Sequence, residues 1–180
     1  MRRAVVVAGV LGLVGVARAE EAAPREEDGP ARRHARHSTT LYLSVPWSPD
    51  PTVPIRGGAD AALRVHRRGY AVEGRLGAAG AGSVVGLSGH FSGHLGASVG
   101  GAIPIGDHVV IAPMLAYDAY LEWERRGANF WVHYITFELP ISLVLERGVV
   151  LELFLQGGAA HYFDATDPAF VAGPRIGIVF

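Results

Sequence analysis

The sequence contains no cysteine, no lysine and no hydrophobic run long enough to form a membrane-spanning helix. The lack of cysteine excludes a disulfide scaffold. The 16 basic residues, all arginine, are balanced by 17 acidic ones, so the chain lacks the basic surface typical of a nucleic-acid partner. No apolar run approaches the roughly 18 residues of a transmembrane helix, although the mean hydropathy is +0.24. High hydropathy without such a helix indicates either a large buried core or strands that face lipid.

The N-terminus has the three parts of a secretory signal peptide. Arg2 and Arg3 are followed by an apolar stretch over residues 4–16, and Ala17-Arg18-Ala19 supplies small residues at a cleavage site. We expect residues 1–19 to be removed, the mature chain to begin at Glu20, and the protein to be exported.

Residues 20–37 are rich in proline and in charge of both signs, and they offer little to bury. Such a segment cannot offset the entropy cost of ordering. We therefore predict a disordered linker over residues 20–37, in which His34 and His37 are ordinary polar residues and bind no metal.

From residue 38 onward, apolar and polar residues alternate with a period of two, which predicts strands. Residues 109–123 and 131–145 show the longest alternation. Both are longer than the roughly 9–11 residues that a tilted strand needs to cross a bilayer. Eight strands are predicted, an even number as expected for a bacterial barrel, at residues 39–45, 60–67, 70–78, 89–104, 109–123, 131–145, 151–159 and 170–180.

The predicted connections alternate between short turns and longer loops. Tight turns lie near residues 68–69, 106–107 and 147–148, and longer loops over residues 46–59, 79–88, 124–129 and 164–168. Transmembrane barrels place short turns in the periplasm and long loops outside, with aromatic girdles at both interfaces. The predicted girdle residues are Trp47, Trp123, Trp131, Phe163 and Phe170 at the loop end and Tyr70 and Phe180 at the turn end.

Over residues 39–180, within a barrel domain predicted at residues 38–180, the chain resembles the small eight-stranded outer-membrane barrels of the OmpA/OmpX type. The resemblance includes Ile103-Pro104-Ile105-Gly106-Asp107 at a periplasmic turn and a final strand that ends in Ile178-Val179-Phe180. It implies an all-β, antiparallel, up-and-down transmembrane barrel, monomeric, in the outer membrane of a Gram-negative bacterium. It also implies contact with outer-membrane lipid and recognition by the assembly machinery through the strand that ends at Phe180. No peptidoglycan-binding domain is implied.

The inward face of the predicted barrel carries a cluster of charged residues. An eight-stranded barrel is just wide enough for its side chains to fill, and buried charges must be paired. We predict a closed lumen without cofactor or metal; a narrow proton or ion path is the alternative. The predicted lumen charges are Arg64, Glu73, Arg75, Asp118, Glu122, Glu138, Glu152 and Arg175.

The expected role is structural or surface-interacting and not enzymatic, with the outer loops as the interaction surface. Two alternatives remain open. A soluble periplasmic lipocalin-like barrel would turn the same apolar set inward around a ligand. A barrel-embedded hydrolase resembling the lipid A deacylases would use His90 and Ser92, with Glu73 or Asp118 orienting the histidine.

Overall fold

The computed structural model describes residues 29–47, 56–83, 86–123, 130–162 and 165–180, so the predicted signal peptide lies outside the described residues. The described chain begins with a short helix, α1 (Pro30–Arg36), and a 3-10 turn at Glu146–Gly148 separates β8 from β9. The strands are β1 (His37–Ser44), β2 (Arg56–Arg67), β3 (Tyr70–Ser83), β4 (Gly86–Gly101), β5 (Ile103–Ile105), β6 (Val109–Ile111), β7 (Met114–Trp123), β8 (Phe130–Val144), β9 (Val149–Tyr162) and β10 (Ala165–Val179).

The strands close into a ring. Neighbours along the chain pair in antiparallel fashion, and β10 pairs with β1, from Thr40 opposite Val179 to Ser44 opposite Arg175. The short pair β5–β6 continues the hairpin of β4 and β7, interrupted near Ala102 and Pro113. Counting each interrupted arm once gives an eight-stranded antiparallel barrel, which confirms the predicted fold class.

The outer surface of the barrel is apolar and its interior is polar, the reverse of a soluble barrel. Along β9, for example, Leu151, Leu153 and Leu155 are exposed whereas Glu152 and Gln156 are buried. This arrangement is that of a transmembrane β-barrel. It contradicts the lipocalin-like alternative, which requires the apolar set to face inward. Other exposed apolar residues are Leu41, Leu43, Leu63, Val65, Val72, Leu76, Leu95, Val99, Leu115, Ile135, Phe137, Ile176 and Ile178.

The two ends of the barrel differ. At one end lie the tight turns at Arg68–Gly69, Gly106 and Arg147–Gly148, together with Phe180 and α1; we call it the turn end. The opposite end is the loop end. The predicted girdle residues Tyr70 and Phe180 are exposed at the turn end. At the loop end Trp47, Trp131 and Phe170 are exposed, while Phe163 and the side chain of Trp123 lie outside the described part of the chain.

The prediction of a disordered linker up to residue 37 is wrong for its described part. Residues 30–36 form α1, which lies against the turn end and buries Ala31, His34 and Ala35, an i, i+3, i+4 stripe. The carbonyls of Ala35 and Arg36 accept hydrogen bonds from the N–H groups of Gly69 and Arg68. Composition suggested too little apolar surface, but two alanines suffice for a helix whose last carbonyls are bonded to a barrel turn. No helix in the described ranges is long and apolar enough to cross a membrane.

Several strands extend further toward the loop end than predicted. β2 begins at Arg56, β3 ends at Ser83, β4 begins at Gly86 and β10 begins at Ala165. The predicted loops over residues 79–88 and 164–168 are therefore mostly strand. Glycine and alanine dominate in 57–59 and 77–82, so the hydrophobic alternation fades there. Backbone pairing in a barrel does not depend on that alternation and continues.

The exposed apolar surface gives a prediction that depends on depth. Leu115, exposed near the middle of the β6–β7 arm, and Ile105, exposed beside the Gly106 turn, share an outward orientation. We expect Leu115→Arg to lower the free energy of unfolding from lipid by about 2–4 kcal/mol, and Ile105→Arg by about 0–1 kcal/mol. Reversible unfolding by guanidinium in phospholipid vesicles measures both values. Equal costs at the two depths would contradict a lipid-facing belt.

Candidate functional site

The structure places seven of the eight predicted lumen charges inside the barrel; the side chain of Glu122, on β7, lies outside the described part. Every second residue of a strand faces inward, so each charge enters the lumen between outward apolar neighbours. The buried charges come from six different strands and meet in one cluster, the lumen network: Arg64, Glu73, Arg75, Asp118, Glu138, Glu152 and Arg175.

Arg64 lies at the turn-end side of the lumen network and is fully buried. Its Nη1 and Nη2 donate to the two carboxylate oxygens of Glu152, at 2.5 and 3.0 Å. Its Nε donates to Glu73 Oε2 at 2.8 Å. Glu152 also accepts a hydrogen bond from the Ser142 hydroxyl at 2.6 Å. The forked contact uses the geometry that makes arginine a strong carboxylate partner.

Arg175 and Arg75 extend the lumen network toward the loop end. Arg175 contacts Glu152 Oε1 and Glu138 Oε1, each at 3.0 Å, and reaches Glu73 at 3.4 Å. Arg75 Nη2 donates to Glu138 Oε2 at 2.6 Å, and its Nε lies 3.2 Å from Asp118. Each of these carboxylates therefore contacts at least one guanidinium, and Glu73 contacts all three.

A histidine flanked by two aspartates continues the network on the loop-end side, and it was not predicted as a unit. His94 lies between Asp60, 3.2 Å from its Nδ1, and Asp118, 2.9 Å from its Nε2. Tyr120 stacks on the His94 ring at 4.3 Å. Gln156 donates to the second oxygen of Asp118. Asp60 shares its parity with Arg64 on β2, so the alternation alone could have placed it inside.

Aromatic rings and glycines complete the packing around the lumen network. The guanidinium of Arg64 lies over the Tyr42 ring at 4.8 Å, and that of Arg175 over the Phe154 ring at 4.0 Å, which are cation–π distances. A Cβ at Gly77 would collide with Asp60, and one at Gly96 with Asp118. The glycine-rich stretch thus makes room for the carboxylates beside His94.

A second polar cluster, distinct in chemistry, closes the turn end beneath α1. The rings of His34 on α1 and His66 on β2 meet edge to face at 4.6 Å, and the Ser38 hydroxyl lies 3.1 Å from His66 Nδ1. Ser38 donates to the His34 carbonyl. Burial, assisted by the charge of Arg64, lowers the pKa of His34 to about 4, so this imidazole is neutral at neutral pH.

The geometry gives no support to a hydrolase. Ser92 is buried in the lumen, and the side chain of His90 lies outside the described part. The two carboxylates that could orient a catalytic histidine are already engaged, because Glu73 pairs with arginine and Asp118 with Arg75 and His94. Within the described ranges, no three histidine or carboxylate side chains gather in a metal-binding group.

Comparison with known proteins gives similarity to solved structures alone. No protein-family model and no curated protein matches the chain. The chain is similar to the backbone structure of the Yersinia pestis outer membrane protein Ail in a phospholipid bilayer nanodisc, with 11% sequence identity and a TM-score of 0.48. The match covers 81% of this chain and 100% of that one. The fold assignment itself rests on the closed strand pairing described above.

Proposed function

We propose that this protein is a plugged barrel of the outer membrane, with a structural or surface-interaction role and no enzymatic one. The observation that carries the proposal is the lumen network inside an apolar-faced ring. Its three buried arginines contact its four buried carboxylates, and each of these seven charges has a counter-charge within the network. Ions would have to displace these pairs in order to pass.

The lumen network supports a plug because two of its contacts cross the lumen between strands that are not neighbours. Arg64 on β2 binds Glu152 on β9, Arg75 on β3 binds Glu138 on β8, and the ring order places other strands between the partners. Breaking such a pair leaves one charge buried without a partner, which lowers the free energy of unfolding by about 3–5 kcal/mol. Steady ion conduction would require breaking several pairs together.

The expected surface role belongs to the loop end. In this proposal the signal peptide directs export, the turn end faces the periplasm, and the loop end faces the cell exterior. A rigid barrel is a scaffold on which loops carry binding function.

The lumen network predicts how much single and double substitutions lower the free energy of unfolding. Arg175→Ala should lower the free energy of unfolding in detergent by about 3–5 kcal/mol, because Glu138 and Glu152 both lose a partner. Adding Glu138→Gln should cost less than the sum of the single changes. Arg32→Ala, exposed on α1, serves as the control and should change stability by about 0.5 kcal/mol or less. Strict additivity of Arg175→Ala and Glu138→Gln would argue against the pair.

A plugged lumen predicts that the barrel conducts no ions. Full-length mature protein reconstituted in planar bilayers should show no steady conductance, because the paired charges fill the lumen. The Arg175→Ala variant is the comparison for this measurement. Its conductance should exceed that of the unaltered protein, because one of the pairs that block the lumen is broken. A large ion-selective current from the unaltered protein would establish a channel and reject the plug.

Location and orientation are tested by labelling. The protein should fractionate with the outer membrane and migrate faster on unheated gels than on heated ones. An epitope tag inserted between Arg126 and Gly127 should be detected on intact cells, and a tag inserted between Gly106 and Asp107 only after permeabilisation. Recovery of the bulk in the soluble periplasm, or the reverse tag pattern, would refute the proposal.

A further inference from the structure

Helix α1 covers the turn end of the barrel but has only a small buried face. Backbone hydrogen bonds hold both of its ends: the Ala31 N–H donates to the Asp107 carbonyl, and the carbonyls of Ala35 and Arg36 accept from the β2–β3 turn. The buried face consists of Ala31, His34 and Ala35. Because an alanine side chain buries little apolar area, His34 is the largest group in this contact. Docking of α1 therefore depends strongly on the state of the His34 ring.

The site beneath α1 fits a neutral imidazole and not a charged one. His34 is only 3% exposed, and neither of its ring nitrogens has a hydrogen-bond partner in the described part of the chain. The ring packs edge to face on His66, whose Nε2 is also buried without a partner there. A neutral imidazole leaves one N–H group unpaired in this site. An imidazolium would leave two, together with an uncompensated buried charge, which is far less favourable.

The charged groups around His34 add to this preference. Burial, assisted by the charge of Arg64, lowers the pKa of His34 from 6.5 to about 4. Glu152 opposes the effect of Arg64, but its carboxylate is already bound by Arg64 and Arg175. The other titratable groups at this end are Arg33 on α1, His37 on β1, His66 on β2, Asp107 before β6, and Glu146 and Arg147 between β8 and β9. Both of these acids are exposed, so solvent weakens their attraction for a proton on the buried ring.

We propose that α1 is an acid-released cap, which docks on the turn end while His34 is neutral and leaves it when His34 takes up a proton. Undocking exposes the ring to water. The undocked form therefore gains a proton as the pH falls below 6.5, whereas the docked form does so only near pH 4. Docking weakens over this interval and is independent of His34 protonation above it, where the ring is neutral in both forms.

Release of the cap does not require the barrel to open. β1 begins at His37 and pairs with β2 from that residue onward, so the ring stays closed when α1 leaves. The release exposes the buried ring of His66 and the Ser38 hydroxyl at the turn end. This proposal goes beyond the proposed function and depends neither on the plug nor on any role of the loops.

A single introduced thiol can report the release, because the chain has no cysteine. Ala35→Cys places the thiol on the buried face of α1, and Arg32→Cys places it on the exposed face as a reference. The full-length mature protein in detergent is treated with a maleimide at pH 7.5 and at pH 5. Dividing the rate at position 35 by the rate at position 32 removes the effect of pH on the thiol itself. The ratio is also measured with His34→Leu and, as the matched control, with His37→Leu, which replaces an exposed histidine.

We expect the ratio to rise about thirtyfold between pH 7.5 and pH 5, as proton uptake near pH 4 in the docked form and near pH 6.5 in the undocked form implies. The His37→Leu control should keep this response. His34→Leu should lose most of it, because leucine takes up no proton. A rise below about threefold in the unaltered background, or equal responses in the two histidine variants, would overturn the proposal.

Amide hydrogen exchange gives a second measurement that needs no cysteine, in case Ala35→Cys fails to fold. The N–H groups of Arg68 and Gly69 donate to α1 carbonyls and should lose protection at pH 5, after correction for the intrinsic effect of pH on exchange. Tyr42 and Ala62, paired between β1 and β2, should stay protected. Unchanged protection at Arg68 and Gly69 would contradict the release. Loss of protection at all four residues would show that the barrel itself unfolds, and it would reject the cap.

Discussion

Ion pairing in a lumen with little room for water is the constraint on which the rest of this structure depends. A carboxylate buried without a partner would cost several kcal/mol. Glu73, Glu138 and Glu152 are each fully or nearly fully buried, and each is held by arginine. Some partners lie on neighbouring strands, such as Arg64 and Glu73, but Arg64 with Glu152 and Arg75 with Glu138 meet across the lumen. The full set of pairs is therefore complete only when the ring is closed.

The same constraint explains the orientation of the apolar residues. Once charged side chains occupy one face of every strand, the alternate face must be the outer one. Leu151 and Leu153 flank Glu152 on β9, so the residues that bury a charge also present apolar side chains outward. In water, that outer belt would be an extended hydrophobic patch of the kind that drives aggregation. In a bilayer the same apolar belt contacts the hydrocarbon chains of the lipid.

The sequence alone was sufficient for features that depend on periodicity. The parity of residues 131–145 and 151–159 correctly separates outward leucines from the inward Glu138 and Glu152, because side chains alternate regularly over residues 135–145 and 151–156. It could not predict which arginine meets which acid, because the contacts join β2 to β9 and β3 to β8 across the lumen. Those distances depend on the stagger of the closed ring. Strand ends in the glycine-rich segments were also missed, since small residues carry no alternating signal.

Helix α1 was not predicted from the sequence for a different reason. Judged by its own composition, residues 30–36 should not order, because Ala31 and Ala35 bury little area. What orders the helix lies elsewhere in the chain: the β2–β3 turn places the N–H groups of Arg68 and Gly69 against its last two carbonyls. That turn has φ 52° and 84° at its two central residues, as a tight hairpin requires, and its N–H groups are directed out of the barrel end. The helix is thus a consequence of the finished barrel and closes the turn end by backbone hydrogen bonds, whereas the lumen is closed by charge.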